Sequence, residues 1–223
     1  MAIGVCCGHR SDGHMDMDPT RCVSIFMHPS TIGNDALKTI ATLTMNPTID
    51  GACEAERVFH THKIRTSRDR YDPGGGGINV ARVLHRLGAQ VQALYPAGGA
   101  TGERLHGLLM AEGVPDLRWA IAGETRESWT VHERESGREY RFVLPGPTLS
   151  AAEWAEGLAG LRRVSPSPAW VVSSGSLPQG VAADGHAQIA RVAKAIGARM
   201  VVDSSGAALT AALAQGVWLV KPS

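Results

Sequence analysis

The chain has 223 residues, 43% of them hydrophobic, with 22 Lys and Arg set against 21 Asp and Glu. That length holds one α/β domain with a substantial core, and the near-neutral charge supplies no electrostatic reason for nucleic acid or an anionic membrane as partner. No apolar run approaches the length of a membrane-spanning helix.

Residues 1–38 mix Gly, His, Asp, Met, Pro and Ser with neither the helical nor the strand period. Arg10 and Asp12 follow the first apolar patch, Ala2 to Cys7, where a secretory signal would continue apolar. The segment is expected to be a disordered tail or upstream sequence translated from too early a start, in preference to a functional arm. Cys6, Cys7 and Cys22 fall here with His9 and His14 nearby, but their spacing fits no zinc pattern. Together with Cys53 they suggest no disulfide framework, which points to a reducing compartment, the cytoplasm.

From Ile40 the pattern becomes regular. Strand-like apolar runs are expected at 40–44, 91–95, 117–121, 170–173, 200–202 and 217–220. Helical stripes lie between several of them: Val80, Val83, Leu84 and Leu87 before Gly88, and Leu105, Leu108 and Leu109 before Gly113. Ser150-Ala151-Ala152-Glu153 reads as a capping box that opens a helix with Trp154, Leu158 and Leu161 on one face. Ile189, Val192, Ala193 and Ile196 precede Gly197, and Leu209, Ala212 and Leu213 precede Gly216. Strands alternating with capped helices predict an α/β fold whose mainly parallel sheet is covered on both faces. Two segments break the rhythm, 52–72 and 128–144, the second a hairpin turning at Glu135-Ser136-Gly137. These inserted strands are expected to form a small lid or a dimer surface.

Polar loops follow several of the strands. Pro73 leads into Gly74, Gly75, Gly76 and Gly77, and the stripe beginning at Val80 follows at once. The run fails the GxGxxG dinucleotide pattern, and no GK[ST] occurs in the chain. A flexible linker is disfavoured because ordered elements flank the glycines on both sides. Two readings stand: a loop that brings backbone N–H groups and a helix N-terminus against a ligand, which is preferred, and a tight turn whose glycines serve packing alone. Asn79 lies in the first turn, off the apolar stripe. Asp50 follows the Asn46-Pro47 turn at the carboxyl end of the first strand, where it is either an acceptor for sugar hydroxyls or a solvated turn aspartate. Gly175-Ser176, Asp203-Ser204 and Lys221-Pro222 leave strands at the same edge, as site residues or as helix caps.

The stretches TLTMNPTIDGA, PGGGGINVARVL, YPAGGATGERL, YRFVLPG, SGSLPQGV and VDSSGAAL, in this order, closely resemble the ribokinase-like (PfkB) sugar kinases. The likeness runs from about Ile40 to Ser223, and residues 1–38 have no counterpart in it. Within the family, relatives acting on fructose 1-phosphate or tagatose 6-phosphate usually carry a lysine where Gly76 stands, so the resemblance favours the ATP-dependent 6-phosphofructokinase branch. It implies a ribokinase-like fold with a small β-lid, and phosphorylation of fructose 6-phosphate to fructose 1,6-bisphosphate with ATP and Mg²⁺. It also implies a homodimer formed through the lid. Substrate contacts carried over are Asp50, Gly74 to Gly77, Asn79, Arg126 and Ser176. Lys63 and Arg126, on the lid strands, correspond to basic residues that meet phosphates, in part across the dimer interface; a solvated charge is the alternative for each. Lys221 would lie near the nucleotide, although Ser223 stands where the family has Asn. The family's Gly-Ala-Gly-Asp motif, which supplies the catalytic base, does not occur in these residues. The resemblance puts it downstream of Ser223, so the expectation is an incomplete kinase domain over 39–223 with the C-terminal part of the fold absent. No catalytic base is assigned within the chain, which is expected to be inactive alone. The competing expectations are a kinase for tagatose 6-phosphate or fructose 1-phosphate, and a non-catalytic sugar-phosphate-binding remnant.

Overall fold

A strand buried on both faces belongs at the centre of a sheet that helices cover on two sides. The strand β3 (Ile40–Leu43) is such a strand, with Ala41 and Leu43 fully buried on one face and Thr42 buried on the other. The computed structural model describes residues 38–222, together with the backbone of residues 3–4 and 24–25. It divides into two units, Met1–Lys38 and Thr39–Ser223. In the first, β1 (Ile3–Gly4) pairs antiparallel with β2 (Ser24–Ile25). The expected tail character of 1–38 otherwise lies outside the described residues, as do Cys6, Cys7, Cys22, His9, His14 and Ser223.

In the second unit, β3 pairs with β6 (Val91–Ala97) on one side and β10 (Trp170–Ser174) on the other. The sheet continues outward through β7 (Asp116–Ala120) on one edge and through β11 (Arg199–Ser204) and β12 (Leu219–Pro222) on the other. Its order is β12-β11-β10-β3-β6-β7, and every pair is parallel. The helices are α1 (Gly76–Arg86), α2 (Gly99–Ala111), α3 (Ala151–Arg163), α4 (Gly185–Ala195) and α5 (Gly206–Leu213). Ile78 and Ala81 of α1 and Leu105 and Leu109 of α2 bury against Val91, Ala93 and Tyr95 on one face. Trp154 and Leu161 of α3 and Ile189, Val192 and Ala193 of α4 bury against Ala41, Leu43, Val171 and Val202 on the other.

The chain moves from β3 toward β6 and β7, then returns to β10 and moves away toward β11 and β12. Right-handed crossovers in opposite directions put their helices on opposite faces, which accounts for the two cores. The reversal falls between β3 and β10. A crevice opens at the carboxyl ends of two such strands, the usual ligand position in an open α/β sheet.

A second sheet has the order β5-β4-β8-β9 and comprises β4 (Thr48–Ala55), β5 (Thr66–Gly74), β8 (Arg126–Glu133) and β9 (Glu139–Val143). The hairpin expected over 128–144 is present as β8 and β9. The sheet starts earlier than the two segments that break the sequence rhythm, at Thr48 and Arg126. Asp50 is therefore a strand residue, paired with Asp72 and Ser128, and not a turn residue. The physical reason is that the bend at Met45 and Asn46 is short, and the β-branched Thr48 and Ile49 resume extended backbone immediately. The last main-sheet strand is displaced to 219–222 from the expected 217–220, with Trp218 N–H bonded to Met200 O. Among the described residues no helix is long and apolar enough to cross a membrane.

Ser150 accepts from the Glu153 N–H while the Glu153 carboxylate accepts from the Ser150 N–H, so the expected capping box is complete. Replacing the central Leu43 by Ala should lower unfolding free energy by about 2–5 kcal/mol. Ser150→Ala should lower it by about 1 kcal/mol. Urea unfolding followed by tryptophan fluorescence checks both values and their ranking.

Candidate functional site

The crevice between β3 and β10 is filled from above by the start of α1. Gly75 has φ 111° and ψ 142°, a backbone conformation closed to side-chain-bearing residues. The other three glycines meet neighbours directly. A Cβ on Gly74 would overlap the Asp50 carboxylate, one on Gly76 would overlap Ser174 Oγ, and one on Gly77 would overlap the Leu43 carbonyl. Packing therefore demands glycine at each of these positions, as the tight-turn reading holds. Gly75 and Gly76 nevertheless remain only half-buried, so packing leaves part of the loop open to a ligand. Ile78 N–H donates to Thr44 Oγ1 at 2.7 Å and Asn79 N–H to Gly75 O at 2.9 Å. The N–H groups of Gly76 and Gly77, the first two residues of the helix, have no partner inside it.

Asp50 stands beside this loop on β4. Burial pushes its carboxyl above the usual range; Arg141 and Arg126 oppose that shift and Asp72 reinforces it. Arg126, the first residue of β8, donates through Nη2 to Asn46 O at 3.1 Å and through Nη1 to Leu144 O at 3.4 Å. Its Nε is buried without a partner among the described residues, and so is Asn46 Oδ1. Asn46 Nδ2 donates to Ser176 Oγ at 3.2 Å, which joins the loops after β3 and β10. Two orphaned buried polar atoms beside the half-buried Asp50 carboxyl are unusual, because buried polar groups are normally paired. They fit a polar guest that supplies the missing partners.

Asn79 is exposed, and its Oδ1 lies 3.5 Å from Arg82 Nη1. Arg82 is itself only 14% exposed and braces the loop exit. It bonds Glu112 at 2.6 Å, Asp72 at 3.5 Å and Pro73 O at 3.0 Å. The guanidinium in turn holds the Glu112 carboxyl below its usual range.

The structure thus brings together Asp50, Gly74 to Gly77, Asn79, Arg126 and Ser176. Asn46 and Arg141 are additions that sequence reasoning passed over. Asn46 was legible only as half of a turn, although its place after the first strand at the ligand-binding edge was a usable signal. Arg141 is in register with Thr130 and through it with Ala52, two residues along β4 from Asp50, so its charge acts on the Asp50 carboxyl across two strand pairings that no local pattern announces.

Lys63 is not in this group. It was expected on a lid strand but occupies the loop between β4 and β5, where it lines an open recess of about 350 Å³ with Arg57, Phe59 and Arg65. The β4–β5 ribbon runs from the Asp50–Asp72 pair to the Ala55–Thr66 pair. That is about 17 Å at 3.3–3.4 Å per residue, so the loop lies at the far end from Asp50. Lys221 lies on β12, two strand spacings or about 10 Å from β10, with its Nζ 3.0 Å from Asp203 Oδ1. Among the described residues no group of three or more His, Cys, Asp and Glu side chains could hold a metal ion.

The pfkB family of carbohydrate kinases matches residues 44–223. An ATP-dependent 6-phosphofructokinase isozyme 2 of Mycobacterium tuberculosis is 48% identical over 184 residues, covering 82% of this chain and 54% of the relative. A 1-phosphofructokinase of Xanthomonas campestris is 39% identical over 78% of this chain and 54% of its own length. A tagatose-6-phosphate kinase of Staphylococcus epidermidis is 33% identical over 82% and 59%. The crystal structure of phosphofructokinase-2 from Escherichia coli in complex with fructose-6-phosphate superposes with a TM-score of 0.78 at 42% identity, covering 83% of this chain and 61% of that one. The chain spans little more than half the length of these curated relatives.

The raised Asp50 carboxyl has a measurable consequence. The folded chain holds this proton more tightly than the unfolded chain, whose aspartate titrates near pH 3.9. Stability is therefore lost as pH rises from that value through the higher folded pKa. Asp50→Asn, neutral at every pH, should match the parent near pH 3.5 and be the more stable protein at pH 7. Urea midpoints at the two pH values decide the matter; a variant less stable than its parent at pH 7 contradicts a raised carboxyl.

Proposed function

The chain belongs to the pfkB family of carbohydrate kinases, and from that premise we propose that the whole protein phosphorylates fructose 6-phosphate at its primary hydroxyl to give fructose 1,6-bisphosphate. The observation that carries this reading is the half-buried carboxyl of Asp50 at the mouth of a helix, with Arg141 and Arg126 close enough for their charges to act on it. A carboxylate accepts hydrogen bonds from sugar hydroxyls, whereas guanidinium groups neutralise and orient a phosphate. A ligand carrying both groups matches this site better than a free sugar does. Asp50 and Asn79 hold the hydroxyls, and the half-buried Gly75–Gly76 backbone closes against the ring. Arg126, Arg141 and Ser176 take the substrate's phosphate. The buried Nε of Arg126 and Oδ1 of Asn46 supply the hydrogen-bonding capacity that the guest completes. ATP supplies the transferred phosphoryl group and Mg²⁺ travels with its phosphates. Lys221, at the carboxyl edge of β12, offers the cation on that side. Phosphoryl transfer depends on positioning and on neutralising charge, which is the work these residues do. No described residue is assigned as the proton acceptor.

The second reading, a kinase for fructose 1-phosphate or tagatose 6-phosphate, draws support from the relatives of those names. Gly76 speaks for the first reading: it carries no cation, so the arginines of the small sheet must meet the phosphate. The whole protein assembles as a dimer through that sheet. Phe142, Val143 and Leu144, at its β9 edge, are each more than half exposed. A second copy covering them also brings a Lys63 toward the partner's site, which this chain's own Lys63 does not reach.

In the full-length protein, a panel of fructose 6-phosphate, fructose 1-phosphate and tagatose 6-phosphate with ATP should give the highest kcat/KM for the first. Asp50→Ala should lower that value about 100-fold, or about 2.7 kcal/mol of transition-state stabilisation. Arg126→Ala should raise KM for the sugar phosphate more than for ATP. Turnover confined to another ketose phosphate selects the second reading, and binding of fructose 6-phosphate without ATP consumption indicates a non-catalytic remnant.

A further inference from the structure

Thr44, Ser174, Asp203 and Lys221 stand at the carboxyl ends of four neighbouring parallel strands. Ser174 is the register partner of Asp203, and Asp203 is the register partner of Lys221. Residues in register on parallel strands project to the same side at about 4.8 Å spacing, so their side chains can form a continuous row. They do. Lys221 Nζ donates to Asp203 Oδ1 at 3.0 Å, and Ser174 Oγ donates to Asp203 Oδ2 at 2.9 Å. Ser174 Oγ also fills the space that a side chain on Gly76 would need. Next along the sheet, Thr44 Oγ1 accepts from Ile78 N–H in the same helix turn at 2.7 Å. Thr44 and Ser174 are buried, while the Lys221 side chain is 45% exposed. Hydrogen bonds therefore join the solvent-open Lys221 ammonium to Asp203 and Ser174, and Ser174 in turn packs against Gly76 in the first turn of α1.

We propose that Asp203 is a positioning residue that couples the sugar-phosphate and nucleotide halves of the site. Its two carboxylate oxygens serve different clients. One holds the Lys221 ammonium at the edge of β12, and the other orients the Ser174 hydroxyl beneath Gly76. A triphosphate that draws Lys221 away leaves the carboxylate with Ser174 as its hydrogen-bonded partner, which tightens the contact under the glycine loop. By reciprocity, a sugar phosphate seated on that loop alters the hold on Lys221. The division of labour between sugar and nucleotide rests on the kinase reading above; the row itself does not.

Two measurements on the full-length protein separate these levels. The first needs no turnover: acetylation of individual lysines, followed by mass spectrometry. Asp203→Asn should raise the labelling rate of Lys221 several-fold and leave the exposed Lys194 unchanged, with a smaller rise in Ser174→Ala. Fructose 6-phosphate, used as the probe, should change Lys221 labelling in the parent and lose that effect in both variants. The second is kinetic. Asp203→Asn should raise KM for ATP and for the sugar phosphate together. Lys221→Ala should raise only the former, and Ser174→Ala only the latter. Asp203→Glu, long enough to keep Lys221 but not in register with Ser174, should restore KM for ATP alone. A purely structural Asp203 would instead lower the melting temperature and leave the KM values and Lys221 labelling of the folded enzyme unmoved, and that result overturns the proposal. If the parent phosphorylates no ketose phosphate, the kinase reading fails, while Lys221 labelling still decides whether Asp203 holds the row.

Discussion

The close approach of the first turn of α1 to the ends of β3 and β10 is the constraint on which the site depends. Three backbones and several side chains compete for the same space there. Side chains at Gly74, Gly76 and Gly77 would strike Asp50, Ser174 and the Leu43 carbonyl. Without that approach the helix N-terminus would stand away from the crevice, and its unpaired amides would face only water. The glycines are thus required by packing, and the packing is what brings the helix end to the place where a ligand can use it.

The electrostatics follow from how the second sheet joins the first. The short bend at Met45 and Asn46 returns the chain as β4 and carries Asp50 over the helix mouth, while the parallel pairing of β8 with β4 brings Arg126 to the same end. Burial raises the Asp50 carboxyl even though two arginine charges oppose the shift, which means that desolvation outweighs their attraction. A carboxyl whose desolvation outweighs its charge partners makes Asp50 a candidate functional position. Arg82 illustrates the contrast. Its guanidinium is well buried but matched by Glu112, Asp72 and the Pro73 carbonyl, so it stabilises the loop exit without leaving capacity to spare.

The main sheet was legible in the residues because its signals are local. Apolar runs, 3.6-residue stripes and the Ser150 to Glu153 capping box each act within a few residues, and the observed strands and helices fall on them. The displacement of β12 to 219–222 shows the limit of that reasoning, since an edge strand takes its register from the neighbour it pairs with. The site was legible in part. As candidates, Asp50, Ser176 and the glycines stood out as polar or side-chain-free residues following strand-like runs, Asn79 as a polar residue in the first turn of a helix, and the collinear motifs pointed to one family.

By itself the sequence determined that strands alternate with capped helices, that Pro73 to Gly77 forms a constrained loop before a helix, and that polar residues collect at strand carboxyl ends. Tertiary structure alone decided which of these residues meet. It set Arg141 against Asp50 through two strand pairings, moved Lys63 to the far end of its ribbon, and aligned Ser174, Asp203 and Lys221 in one hydrogen-bonded row. Propensity, periodicity and capping are interactions between residues a few positions apart, whereas strand register joins Asp203 to Lys221 across 18 positions, Ser174 to Asp203 across 29 and Ile40 to Trp170 across 130. No pattern of short range encodes such a meeting.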